Sequence, residues 1–84
     1  MLSPKTKNVA TIIRDRLKQG GVPTHYVSVT CHIDGDIEVI YIRIVKGMET
    51  KLPNGEMLFF YVAKLYDEVH SKYNSSRLLI KWVN

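Results

Sequence analysis

The sequence predicts a single α+β domain over residues 1–84, with the element order α-β-β-α-β. Three observations predict it. An apolar stripe with helical spacing lies near the N-terminus, two β-rich segments meet at an Asp-Gly turn, and a second helical stripe precedes a short β-rich end. These elements are expected to pack as a three-stranded, mainly antiparallel sheet with two helices on one face. A chain of 84 residues can hold one small core of this kind.

The first helix is predicted between Ser3 and Gly20. A serine followed by Pro4 is a typical helix start, because the serine side chain caps free N–H groups and proline fits the first turn. Gly20-Gly21 and Pro23 end the helix. Its predicted buried stripe is Val9, Ile12, Ile13 and Leu17.

Two strands are predicted on either side of Asp34-Gly35. Asp-Gly favours a two-residue type I′ turn, which places Ile33 opposite Asp36 and Val29 opposite Ile40. One face of this hairpin then points to the core: Val27, Val29, Cys31, Ile40, Ile42 and Ile44. The other face is polar and aromatic: Tyr26, Ser28, Thr30, His32, Val39, Tyr41 and Arg43.

The second helix is predicted from about Glu56 to Tyr73, with Asn54 as its cap. Its core stripe is Leu58, Val62, Leu65 and Val69, widened by Phe59, Tyr66 and Tyr73. An alternative pairs residues 48–52 with residues 56–60 as a second hairpin, so that the helix begins only near Tyr61. The length and continuous periodicity of the segment favour the single helix.

The last strand is predicted at residues 77–83. Its predicted core-facing residues are Leu78, Ile80 and Trp82. Leu79 and Val83 then add apolar surface to the opposite face, and a short sheet leaves strand edges unpaired. A homodimer is compatible with this pattern.

Composition and motifs exclude several classes of protein. No apolar run reaches about 18 residues, so we expect no membrane span. The N-terminus lacks a secretory apolar segment and there is one cysteine, which together predict a cytoplasmic protein. No nucleophile elbow, glycine-rich phosphate loop or paired acid–base set occurs, so we expect a protein that is not an enzyme and needs no cofactor.

A metal site is not predicted either. Cys31 and His32 are neighbours in a strand and therefore point to opposite faces. His25 and His70 stand at no ligand spacing such as CxxC or HxxxH. A core cysteine and surface histidines account for these residues.

The net charge of +4 is concentrated in residues 1–20, which hold five basic residues and one acidic residue. Lys7, Arg14 and Lys18 follow one another at helical spacing, and such a stripe could hold the phosphates of a nucleic acid. A solvated helix face gives the same pattern.

The outer face of the hairpin has three interpretations. In the predicted register Tyr26 lies across from Arg43, and Tyr41 lies across from Ser28. Aromatic rings interleaved with arginine can stack unpaired bases, can stabilise the sheet by cross-strand contacts, or can anchor a protein partner. The sequence does not choose among them.

Two functions follow from these patterns. The first is binding of RNA or a single strand, with Lys7, Arg14 and Lys18 on phosphates and Tyr26, Tyr41 and Arg43 on bases. The second is a protein-binding inhibitor or adaptor that uses the same face or the edge of the last strand. In size and style the chain resembles small proteins encoded by phages and mobile elements, many of which block a larger host complex.

Overall fold

The computed structural model describes residues 1–83 and has the predicted element order. Its elements are α1 (Pro4–Gln19), β1 (Val27–Asp34), β2 (Ile37–Ile44), α2 (Leu58–Tyr73) and β3 (Leu78–Val83). The strands lie side by side in the order β1-β2-β3. β1 and β2 are antiparallel, whereas β2 and β3 are parallel because α2 returns the chain to the same end of the sheet. The sheet is therefore mixed, and its antiparallel ladder is the longer one.

α1 begins and ends at the predicted residues. The Ser3 hydroxyl accepts a hydrogen bond from the Thr6 N–H at 3.3 Å, and Pro4 occupies the first turn. At the other end, the Gly20 N–H donates to the Arg16 carbonyl. The stripe that α1 buries is Thr6, Val9, Ala10, Ile13 and Leu17, with Ile12 half-buried beside it.

The hairpin turn is Gly35-Asp36, so the predicted register was wrong by two residues. Asp34 pairs with Ile37, and Val29 lies opposite Ile42. A type I′ turn at Asp34-Gly35 needs a positive φ at the aspartate, which is costly for a residue with a Cβ. In the observed turn Gly35 alone takes the positive φ, 62°. Because strand side chains alternate with a period of two, every residue of β1 and β2 stays on its predicted face.

α2 begins two residues later than predicted. Glu56 bonds with the Asn54 side chain through both its N–H and its carboxylate, and Asn54 does not cap the helix. The N-cap is Met57, followed by Leu58 as the first helical residue. Of the alternative hairpin, the structure contains a single antiparallel bridge between Lys51 and Met57.

One core lies between the sheet and the two helices. Its most deeply buried large residues are Ile13, Ile40, Ile42, Leu58, Leu65 and Ile80. All four residues of the predicted α2 stripe are buried as well. The α+β fold with both helices on one face is thereby confirmed. Within residues 1–83, neither helix has the length and apolar character that crossing a membrane requires.

Candidate binding surfaces

The face of the sheet opposite the helices is the first candidate surface, which we call the open face. It is formed by Ser28, Thr30 and His32 of β1, Val39, Tyr41 and Arg43 of β2, and Leu79, Lys81 and Val83 of β3. Tyr41 is central, because it pairs with Thr30 on one side and with Lys81 on the other. These nine residues include two cations, and the same alternation places the exposed carboxylate of Asp34 at the hairpin end of the face, beside Ile37.

Two aromatic rings meet at the centre of the open face. The His32 ring lies 5.2 Å from the Tyr41 ring in an edge-to-face arrangement at 74°. Tyr41 is half-buried, and the Arg43 and Lys81 side chains beside it are exposed. The surface therefore offers a half-buried ring with two cations next to it, Lys81 on the neighbouring strand and Arg43 two residues along β2. Lys81 was missed at the sequence level, because nothing local indicates which strand β3 pairs with.

Tyr26 was expected to lie across from Arg43, but it does not. Ser28 occupies that place, because the register differs by two residues. Tyr26 precedes β1 and packs partly against the core. The Lys46 ammonium lies 5.3 Å from the centre of its ring, and Gly47 lies close against the ring edge. Tyr26 is thus held by the segment after β2 and is separate from the centre of the open face.

The basic residues of α1 lie on the other side of the sheet from Tyr41 and Arg43. α1 covers the core face, and Tyr41 alternates with core residues of β2, so the two groups point in opposite directions. Lys7, Arg14 and Lys18 are exposed along the helix. The six residues proposed from the sequence are therefore divided among separate surfaces.

A groove between α1 and β1 is the second candidate surface. Its volume is about 440 Å³. Its lining consists of Arg14, Leu17, Lys18, Val22, Pro23, Thr24, Val27 and Val29. The Arg14 guanidinium also donates a hydrogen bond of 3.0 Å to the Val29 carbonyl at the edge of β1. The groove thus combines apolar walls with two cations.

The two edges of the sheet differ in how much of their backbone is satisfied. On the outer edge of β3, Leu78 bonds to Ser75 through both its N–H and its carbonyl. Ile80 donates to the Asn74 side chain at 2.8 Å and accepts from the Tyr66 hydroxyl at 3.3 Å. This edge, proposed from the sequence as a contact surface, is therefore covered at Leu78 and Ile80. At the β1 edge, Arg14 covers the Val29 carbonyl.

Exposed apolar side chains lie at the start of α2 and in the segment before it. The cluster comprises Met48, Phe59 and Phe60, which are 36–51% exposed, and Val45 and Val83 are exposed at the ends of β2 and β3. The Phe59 ring lies 5.6 Å from both the Phe60 ring and the Trp82 ring, and the Phe59 N–H donates to the Met48 carbonyl. Phe59 was expected to widen the core stripe. It instead lies over Trp82 and is 36% exposed, while its neighbour Leu58 is fully buried in the core.

The ion pairs of the molecule are structural. Arg16 and Glu68 join the two helices at 2.8 Å, and this hydrogen bond raises the Arg16 pKa. Lys64 lies 2.5 Å from Glu56, and its hydrogen bond lowers the Glu56 pKa.

Among residues 1–83, no three His, Cys, Asp or Glu side chains are grouped so that they could hold a metal ion.

Comparison of the chain with protein-family models, with curated proteins and with solved structures finds no match.

Proposed function

We propose that this protein is a small non-catalytic binding protein whose open face takes single-stranded nucleic acid, RNA foremost. The observation that carries the proposal is the position of Tyr41 at the centre of that face, beside His32 and next to both Arg43 and Lys81. Aromatic rings with interleaved cations bind single strands, because every base has a face that can stack and every nucleotide has a phosphate.

Each residue of the open face has a distinct role in this proposal. Tyr41 stacks a base, and His32 supports its ring from the side. Arg43 and Lys81 hold the phosphates that flank the stacked base. The hydroxyls of Ser28 and Thr30 are placed to hydrogen-bond base edges or ribose 2′-hydroxyls. A duplex does not fit this mode, since its bases are already stacked on each other.

The cations of α1 do not contact the same strand in this proposal. They lie behind the sheet, and their contribution is the general attraction of a basic protein for a polyanion. Lys7 and Lys18 therefore provide a charge-matched control for Arg43 and Lys81. This separation lets one experiment decide between the two surfaces.

Fluorescence anisotropy with a short labelled oligouridine tests the proposal. Tyr41→Ala should weaken binding by about 5- to 150-fold, the equivalent of one lost stacked base. Arg43→Gln/Lys81→Gln should also reduce the slope of log K against log salt by about 1.4, since each single-strand phosphate contact contributes about 0.7. Lys7→Gln/Lys18→Gln should leave the slope close to that of the wild type.

Two results would contradict this assignment. If the wild type does not bind oligouridine even at low salt, the function itself is wrong. If the α1 pair changes the slope and the open-face pair does not, phosphates are held by α1 instead. Circular dichroism of each variant checks that the fold is retained.

A second function, a protein-binding inhibitor or adaptor, is favoured by the exposed apolar end of the molecule. Aromatic residues and methionine are enriched in protein interfaces, and Phe59, Phe60 and Met48 lie together there. Self-association of two copies is compatible with either function. A pull-down in the presence of nuclease separates the candidates. A stoichiometric partner protein that Phe60→Ala loses and Tyr41→Ala retains would favour the second function.

A further inference from the structure

We infer that two copies of this chain pair antiparallel through the free edges of their β1 strands, with Cys31 on the twofold axis. The pairing joins the two sheets into one of six strands. It does not depend on which ligand the open face takes. Three features of the β1 edge support the pairing, because a twofold rotation brings each feature of one copy against its complement in the other.

The first feature is the backbone of β1. The Tyr26 carbonyl accepts from the Val45 N–H, directly after β2, and the Val29 carbonyl accepts from Arg14 at the opposite side. Because antiparallel backbone groups alternate between the two sides of a strand, the N–H and carbonyl groups of Cys31 and Ile33 point to the free edge. An edge of this kind is a ready template for another strand.

The second feature is an exposed apolar side chain at one end of β1 and the groove at its other end. Ile33 is 50% exposed and points to the same side of the sheet as Val29 and the groove. With Cys31 opposite its own copy, Ile33 of each copy lies opposite Val29 of the other. Each Ile33 then enters the groove between α1 and β1 of the other copy, where Leu17 and Val27 provide apolar walls.

The third feature is charge. The same register places Gly35 opposite Val27, so the acidic residue that follows Gly35 in the turn, Asp36, lies at the groove of the other copy. That groove carries Arg14 and Lys18. Each chain carries both the basic groove and the acidic turn. A twofold axis therefore places the groove of each copy against the turn of the other.

Two details of the structure permit this approach. Gly35 presents no Cβ, and open space surrounds the position where one would stand, so the tip of the hairpin is slim. Arg14 already bonds the Val29 carbonyl, but a carbonyl oxygen has two lone pairs and can accept a second N–H. The paired Cys31 residues would be about 5.5 Å apart at Cα, which is within the range of a disulfide.

Sedimentation equilibrium of the intact reduced chain tests the inference. We expect a reversible dimer with a roughly micromolar Kd, because the interface is small. Ile33→Asp should weaken association by about tenfold or more, and the control Phe60→Asp should not. Both residues are about half exposed, so neither change should unfold the protein. A chain that stays monomeric at roughly 0.5 mM, or a dimer that Phe60→Asp disrupts and Ile33→Asp leaves intact, would overturn the inference.

Charge reversal and cross-linking give independent readouts. Lys18→Glu and Asp36→Lys should each weaken the dimer. The two changes combined should restore it, because the two positions then carry opposite charges again with their signs exchanged. Oxidation of the wild type with diamide, which takes up the two electrons and two protons that two thiols release, should yield a disulfide-linked dimer through Cys31, the one cysteine of the chain. Failure of the combined variant to recover, or oxidised protein that remains monomeric at concentrations where the dimer sediments, would refute the proposed register.

Discussion

The phenol of Tyr61 donates a hydrogen bond to the main-chain carbonyl of Arg16, joining the first turn of α2 to the last turn of α1. The same ring lies against Gly20, the residue that ends α1. The Arg16 carbonyl therefore accepts two hydrogen bonds at the end of α1, one from the Gly20 N–H and one from the Tyr61 hydroxyl. Tyr61 therefore binds the C-terminal end of α1 and, by the same contact, holds the two helices together.

Gly20→Ala should destabilise the protein even though Gly20 has an ordinary helical φ of −76°. A Cβ at this position would overlap the Tyr61 ring, so the ring has to move and lose its bond to Arg16. We expect a loss of about 1–3 kcal/mol by urea denaturation. In a Tyr61→Ala background the same change should cost much less, and equal costs in both backgrounds would show that the ring is not the cause. Gln19→Ala serves as the exposed control.

Ile42→Ala should cost about 2–5 kcal/mol, because Ile42 is fully buried between the sheet and both helices. Such a loss is a large part of the stability of a small domain. Val45→Ala, three residues further along the chain and 54% exposed, should stay within about 0.5 kcal/mol. Thermal or urea unfolding measures both. A similar small effect for the two variants would mean that Ile42 is outside the core.

The acid sensitivity of folding should depend on Glu38. The Ser3 N–H donates to its carboxylate at 2.6 Å, and this backbone hydrogen bond lowers the Glu38 pKa. A lowered pKa in the folded state means that the stabilisation is present above the ordinary glutamate pKa and is lost as pH falls through the lower value. Glu38→Gln should therefore flatten the acid branch of a stability–pH profile. Ser3→Ala keeps the backbone donor, so it should lower stability through the lost helix cap and retain most of the acid branch.

Trp82→Phe should be far milder than Trp82→Ala. The indole N–H of Trp82 is buried, and none of the described residues accepts a hydrogen bond from it. A buried donor without a partner costs about 1–3 kcal/mol, which the phenylalanine variant recovers while keeping an aromatic ring between Phe59 and Tyr66. We expect Trp82→Phe to change stability by less than about 1 kcal/mol and Trp82→Ala to cost up to about 3–5. Trp82 is the only tryptophan, so neither variant has tryptophan fluorescence to report on unfolding. Far-ultraviolet circular dichroism therefore measures the unfolding of both.

The hairpin shows why faces were predictable and pairing was not. Val27, Ile40 and Ile42 are buried as predicted, because burial follows the two-residue period of a strand. The pairing was wrong by two residues, since a shift of two preserves that period and leaves the apolar pattern unable to distinguish the registers. Only the turn decides, and it does so through the positive φ that Gly35 adopts.

The candidate surfaces show the same division. Alternation alone predicted that Tyr41 and Arg43 share a face. The placement of Lys81 beside Tyr41 depended on the parallel pairing of β3 with β2, which no short-range signal specifies. The apolar end around Phe59 and Phe60 was not predicted, because a helical pattern gives the buried side of a helix and not the contacts that its exposed residues make with distant segments such as Met48 and Trp82.

By itself, the sequence determined the helices, the strands and the side of each strand that faces the core, because these depend on local caps, turns and periodicity. Ser3-Pro4 starts α1, and the stripe from Leu58 to Val69 is buried in α2, as local rules require. Tertiary structure alone decided that Tyr26 is held apart from Tyr41, that the α1 cations lie behind the sheet, and that β1 keeps the freer edge. Those relations join residues distant in the chain, and only the packing of complete elements fixes distances of that kind.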